Sequence, residues 1–277
     1  MDYVIVNGEI IRKTEANLTS FFWNEPQFFH HKIWYGFGGI PLFFENIQLI
    51  HQQINLFGAE IPSLFNHQRE LFRITKRMLN KNKFFRSGQI NIQLFIQERK
   101  VDFVITSMSF PEFEFPINEQ GLLVHFSEIK KDSGNIYNRF ALYNQLIWET
   151  EKTKNEETPF QNSIFLNENE MVCDTDSANI FMIKNNSVIT PALETGCYND
   201  ILRDFILSIS NELNFKITEA ANLKKDDVYN MNEIFLAGEN NGFQWVMGIE
   251  GKRFVRQKSV LIHQKLNEFL KNKVHQL

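Results

Sequence analysis

A chain of 277 residues is long enough for one large domain or two modest ones, each with its own core, and two are expected. A formal net charge of −4, with no Lys/Arg block outside the C-terminal segment, excludes a polyanion such as nucleic acid as partner. No apolar run reaches the length of a membrane span and no basic-then-apolar leader opens the sequence, so a cytoplasmic protein with no membrane contact is expected. Cys173 and Cys197 lack metal-ligand spacing and fit a reduced setting. The 28 phenylalanines are spread along the whole chain, as core residues are, rather than gathered into a ligand cage.

Asn7-Gly8 between Tyr3-Val4-Ile5-Val6 and Glu9-Ile10-Ile11 predicts a tight hairpin. Phe43, Ile47, Ile50, Ile54 and Phe57 recur at helical spacing and stop at Gly58, a C-cap residue; a second helix is expected from Leu64 to Leu79. Residues 89–97 alternate, with Ile90, Ile92, Leu94 and Ile96 on one face, and 101–110 follow as the antiparallel partner. Pro111 to Pro116 then reads as a connection, which sets the expected domains at 1–117 and 118–277 with a cleft between them. The second part interleaves strands (122–126, 163–166, 179–183, 187–191, 233–236 and around Trp245) with helices (140–151, 201–213). It ends in an amphipathic helix over 258–277, expected to pack on the body of the protein.

The hairpin at Asn7-Gly8, Gly58 closing an early helix, the paired strands Ser177 to Lys184 and Ser187 to Pro191, and Glu233-Ile234-Phe235-Leu236-Ala237-Gly238 near the end stand in an order that resembles the class IV aminotransferases. That family includes branched-chain and D-amino-acid aminotransferases and 4-amino-4-deoxychorismate lyase, and depends on pyridoxal 5'-phosphate. The resemblance implies an α+β, two-domain, D-amino-acid aminotransferase-like fold. Its N-terminal domain would be an α/β two-layer sandwich, and its C-terminal domain a β-barrel-like sheet with surrounding helices. It also implies a homodimer, and a small-molecule ligand in the cleft.

The chemistry of that family needs a lysine amine for the imine, a carboxylate on the pyridine nitrogen and an anion site for the phosphate. By resemblance the lysine position is Ala141, in Asn138-Arg139-Phe140-Ala141-Leu142-Tyr143-Asn144, and the carboxylate position is Asp174, which follows it by 33 residues where the family has glutamate. The alternative for Ala141 is a small helix-favouring residue packed on the sheet. For Asp174 it is a solvated turn aspartate. The phosphate-binding arginine of the family falls at Leu49, a core-type residue, with Asn46 at the accompanying histidine. Its Gly-Ile-Thr helix start corresponds to Asp200-Ile201-Leu202, where the Asp200 carboxylate is expected to satisfy the amides that phosphate would. A second phosphate loop corresponds to Gly238-Glu239-Asn240, and Arg203 is the remaining candidate cation, unless the helix turns it elsewhere. On the substrate side stand Phe28, Phe29, His30 and Lys32. His30-His31 are adjacent on a strand and face opposite ways, so no metal is expected.

These substitutions point to a class IV fold that has lost its cofactor chemistry and serves in binding or interaction, with no cofactor expected. Two alternatives stand beside it. One is a divergent pyridoxal-phosphate aminotransferase or lyase with a relocated amine, such as Lys32, Lys130 or Lys131. The other is a shifted register that leaves the ordinary chemistry, and its cofactor, in place.

Overall fold

The computed structural model describes residues 2–22 and 26–275. They form two compact units, Met1–Phe115 with Phe269–Leu277, and Pro116–Glu268. Residues 269–275 group with the first unit.

The first unit begins with β1 (Tyr3–Val6) and β2 (Glu9–Arg12), then α1 (Thr19–Phe22), β3 (Gln27–Tyr35), α2 (Phe43–Leu56), α3 (Ser63–Asn66), α4 (Gln68–Lys81), β4 (Ser87–Gln97) and β5 (Lys100–Phe110). Its antiparallel sheet runs β2-β1-β5-β4-β3. The first turn is the one its sequence predicts, with Asn7 and Gly8 both at positive φ (48° and 96°). The α2 stripe Phe43, Ile47, Ile50 and Ile54 is fully buried. The helix ends in a Schellman pair, Ala59 N to Ile54 O (3.4 Å) and Gly58 N to Asn55 O (3.0 Å), with Gly58 at φ 64°. One helix expected over 64–79 is two. His67, at ψ 59°, leaves the helical region while its ring Nδ1 lies 2.8 Å from Ser63 O, and this local bond closes α3 before α4 begins. The β4 residues Ile90, Ile92, Leu94 and Ile96 are buried together, as their alternation requires.

The second unit contains β6 (Ile117–Lys131), α5 (Ala141–Asn155), β7 (Asn162–Asn167), β8 (Val172–Thr175), β9 (Asn179–Lys184), β10 (Ser187–Pro191), α6 (Leu202–Glu212), β11 (Lys216–Ala220), α7 (Lys225–Tyr229), β12 (Glu233–Gly238), β13 (Gly242–Ile249), β14 (Lys252–Arg253) and most of α8 (Lys258–His275). The last two residues of the helix expected over 258–277 lie outside the described residues. The strands follow the order β11-β10-β9-β12-β13-β6-β7-β8, with β14 on β13. A Thr175–Ala178 bridge brings the end of β8 back toward β9, so the sheet curls toward a barrel. Its interior is filled by Leu122, Val124, Phe126, Ile164, Leu166, Ile180, Met182, Ile234, Leu236 and Val246, the inward residues of successive strands. At the start of α8, Glu233 accepts the amides of Gln257, Lys258 and Ser259 at 2.8–3.0 Å, a buried carboxylate serving as a helix cap.

β6 carries an irregularity next to the site. Leu122, Val124 and Phe126 point inward, pairing Phe126 with Ile164, and the next paired residue, Lys130, meets Leu166. Two extra residues on β6 form a bulge at which Ser127 Oγ accepts the Ile129 amide (3.0 Å). The excess is even, so the alternation keeps its parity: Lys131, paired with Asn167, stays on the face opposite Phe126 and is buried there, while Lys130 is exposed.

Candidate active site

The centre of the site is an ion pair. Lys131 Nζ lies 2.5 Å from Asp174 Oδ2, with side-chain exposures of 1% and 0%. The same oxygen accepts the Tyr198 amide, while Asp174 Oδ1 is buried with no donor among the described residues. Asp174 is thus a strand residue in the interior rather than a solvated turn aspartate, because β8 pairs with β7 and is covered on both faces. Burial pushes its carboxyl above the usual aspartate range, against the pull of Lys131 and the Tyr198 N–H. Both cysteines are unpaired and buried near it, Cys173 with its thiol 3.1 Å from Thr195 O and Cys197 with its thiol pushed up to about 11 by burial.

Tyr198 links this pair to a second carboxylate. Its phenol donates to Asp200 Oδ2 (3.2 Å), and burial holds that phenol far above its ordinary range. Asn179 fixes the segment, accepting the Asp200 amide (3.0 Å) and donating to Tyr198 O (2.6 Å). The Asp200 carboxylate receives the Leu202 amide on Oδ1 (2.9 Å) and the Glu239 amide on both oxygens (3.1 and 3.2 Å). Leu202 opens α6 and Glu239 follows β12, so two elements aim amides at one buried carboxylate. The Leu202 contact is a helix-start cap by Asp200. Desolvation raises its carboxyl to about 6, partly offset by the Leu202 and Glu239 amides and the Tyr198 hydroxyl.

Ala141 begins α5 and packs with Trp148, Phe165 and Tyr198, so it stands in the same neighbourhood as a methyl group in an apolar cluster. Asn144, part of the motif that locates Ala141, is structural. Its Nδ2 donates to Asn138 O (2.7 Å) and Phe140 O (2.8 Å), tying the helix to the turn before it. Arg203 is buried and turned away from the Asp200 amides. It donates to Pro191 O (2.9 Å) and Glu219 (2.7 Å), the second of the orientations open to it. Ile201 is half-buried, Glu239 buried and Asn240 half-buried, with Asn240 Oδ1 enclosed without a donor among the described residues.

The remaining candidates belong to the first unit. Phe28, His30 and Lys32 alternate onto one face of β3, Phe28 against Phe95 at 5.1 Å. Phe29 is a core residue on the other face, stacked on Phe57 at 5.7 Å, which separates it from its expected companions. His31 also faces that way, with Nε2 2.6 Å from Asn46 Oδ1, and burial lowers it to about 4. Leu49 on α2 is half-buried, more open than its apolar character suggested, because the stripe that packs inward is Ile47, Ile50 and Ile54. No cluster of three or more metal-ligating side chains exists among the described residues.

Sequence reasoning named Lys131 only among distant alternative amines and missed Tyr198. Lys131 lies on the face of β6 opposite Phe126, and nothing in its own segment marks that face as buried. Tyr198 acts through its backbone as well as its ring, and no motif marks that.

The amino-transferase class IV family model matches residues 53–246. The chain belongs to that family. It is 31% identical over 87 residues to a probable branched-chain-amino-acid aminotransferase of Synechocystis, covering 31% of this chain and 28% of that protein. It is 22% identical over 161 residues to a probable branched-chain-amino-acid aminotransferase of Thermotoga maritima, covering 58% and 56%. These matches span from about a quarter to just over half the length of the relatives. In fold it is similar to the branched-chain amino acid aminotransferase of Escherichia coli, with a TM-score of 0.80, 18% identity and coverage of 95% and 92%. It also resembles a 4-amino-4-deoxychorismate lyase structure from Legionella pneumophila, with a TM-score of 0.76, 16% identity and coverage of 88% and 91%. The mixed α+β architecture with a curled sheet and flanking helices is that of these class IV structures.

Proposed function

We propose that this class IV aminotransferase-fold chain does not run pyridoxal-phosphate chemistry and acts instead as a binding or interaction protein. The observation that carries this reading is the commitment of Lys131 to Asp174. An imine-forming amine must present a free, neutral nitrogen to an aldehyde. Ala141 offers none, and the buried lysine beside the candidate carboxylate donates to that carboxylate at 2.5 Å. A pyridinium N–H would need the same oxygen or the facing one, next to a resident ammonium, so the residues present do not fit the cofactor. The chain is further proposed to be cytoplasmic and to pair as a homodimer. Its two free cysteines support the first. The second draws support from Ile136, Tyr137, Tyr143 and Leu146, four exposed apolar residues close together in sequence at the start of α5. Among the described residues no helix is long and apolar enough to cross a membrane.

One observation favours a second reading. Lys131 is an interior amine at the site, so a divergent aminotransferase or lyase with its lysine relocated there is the rival. Titration of the purified protein with pyridoxal 5'-phosphate, followed by absorption and borohydride trapping, decides between them. A spectrum matching free cofactor supports the non-catalytic reading. A saturable imine band, trapped on Lys131 and located by mass spectrometry, refutes it in favour of the rival.

A further inference from the structure

Two amides from separate elements, Leu202 at the start of the eleven-residue α6 and Glu239 after β12, converge on one point. An ordinary N-cap serves the amides of its own helix. Here the capping carboxylate also takes an amide from a loop 39 residues away. Backbone amides gathered in this way at a helix N-terminus form an oxyanion cup. The side chain in the cup is buried, and close packing keeps it there: a Cβ on Gly238 would stand 3.2 Å from Asp200 Oδ2 and 2.6 Å from Ser177 O. At the other end of the network the fully buried Asp174 keeps one oxygen without a donor among the described residues while Lys131 holds the other. Tyr198 joins the two ends, its amide on Asp174 and its hydroxyl on Asp200.

We propose that the chain fills this site with its own side chains, Asp200 as the resident anion of the Leu202/Glu239 cup and Lys131 as the resident cation on Asp174, so that an external oxyanion enters only when Asp200 is removed. The inference rests on the non-catalytic reading above and adds the contact that closes the site. The charge balance agrees. The nearby guanidinium, Arg203, is turned to Glu219 and Pro191 O, with its Nε buried and without a partner among the described residues, so a phosphate arriving beside an ionised Asp200 meets repulsion.

The test uses inorganic phosphate, which has no carbonyl group and so reports on the cup alone. Phosphate is titrated into ¹⁵N-labelled native protein and into the Asp200→Gly and Asp200→Ser variants, and the Leu202 and Glu239 amide resonances are followed. In the native chain these amides are expected to stay unmoved by phosphate. In either folded variant they should shift saturably, with affinity at least about tenfold above any native binding. Asp200→Asn keeps an acceptor in the cup without charge and should remain closed. Phosphate-dependent shifts of both amides in the native chain overturn the proposal, as does a folded Gly or Ser variant whose amides ignore phosphate. If neither of those variants folds, native and Asp200→Asn spectra decide: saturable phosphate shifts in either one count against the proposal, and unmoved amides in both support it. A cofactor imine trapped on Lys131 would refute the functional reading while leaving the phosphate result to judge Asp200 separately.

Discussion

Replacing Lys131 by methionine should be among the most costly single changes in the second unit. The parent pair is 2.5 Å apart with side-chain exposures of 1% and 0%, so the deleted ammonium leaves a carboxylate that water does not reach. One of its oxygens already lacks a donor among the described residues, and the other would keep only the Tyr198 amide. Removing one partner of a buried pair costs about 3–5 kcal/mol, a large share of the roughly 5–15 kcal/mol that holds a domain folded. The double variant Lys131→Met/Asp174→Asn restores neutrality and keeps an acceptor for the Tyr198 amide, and should return to within about 1 kcal/mol of the parent. The pH dependence has a definite sign. The folded Asp174 carboxyl already stands above its unfolded value of 3.8, and loss of Lys131 raises it further. A raised carboxyl adds stability that is fully present below the unfolded value and lost as pH rises through the folded one. The deficit of Lys131→Met is therefore widest at neutral pH and narrows as pH falls. Urea unfolding of the full chain, followed by tryptophan fluorescence, is the assay. Trp148 packs edge-on against Tyr198 at 5.1 Å and reports on this network. A cost below about 1 kcal/mol, as exposed pairs show, or no recovery in the double variant, would refute the argument.

Other changes probe the remaining parts. The Leu202 and Glu239 amides should titrate in the native chain with a midpoint near the Asp200 value of about 6, and Asp200→Asn should abolish that midpoint; NMR read against pH checks both. Glu233→Ala strips the cap from three amides at the start of α8 and should cost about 1–3 kcal/mol, seen as faster hydrogen exchange at residues 257–259. Gly88→Ala would set a Cβ 2.0 Å from Met108 O and 2.4 Å from Tyr35 Oη, so a loss of about 1–3 kcal/mol and a lower thermal midpoint are expected. Ala141→Lys alone should give no imine band on adding cofactor, because Asp174 and Asp200 stay engaged; a saturable band in that variant would show that the network yields readily.

The parts of the fold governed by local rules were legible in the sequence. The Asn7-Gly8 hairpin, the α2 stripe ending at Gly58 and the alternating β4 each follow from one backbone preference or one period, and each is present. The break at His67 was not legible, since it depends on a ring nitrogen bonding back to Ser63 O. Within the site, Asp200 was readable because a carboxylate two residues before a helix amide has one obvious use. Lys131 was not. Alternation puts it on the face of β6 opposite Phe126, and only the tertiary structure shows that this face is also covered, with Asp174 waiting there. The separation of Phe29 from Phe28 and His30 follows from strand parity, as does that of His30 from His31.

The network also explains how polar residues persist in an interior with so few exposed partners. A buried carboxylate is tolerated when donors meet it, and each of the two carboxylates here is met by the chain itself: Asp174 by Lys131 and the Tyr198 amide, Asp200 by two backbone amides and the Tyr198 hydroxyl. Tyr198 sits in both sets, and Asn179 pins the backbone between them. Because the partners are shared, losing one side chain strands a charge or a donor elsewhere, so changes at these positions are coupled rather than additive. The curled sheet does not depend on them, since its interior is apolar from Leu122 to Val246. A scaffold held by apolar packing and a site held by its own polar closure can diverge separately. That independence is the physical basis for a class IV architecture remaining intact while the groups at its centre bind one another.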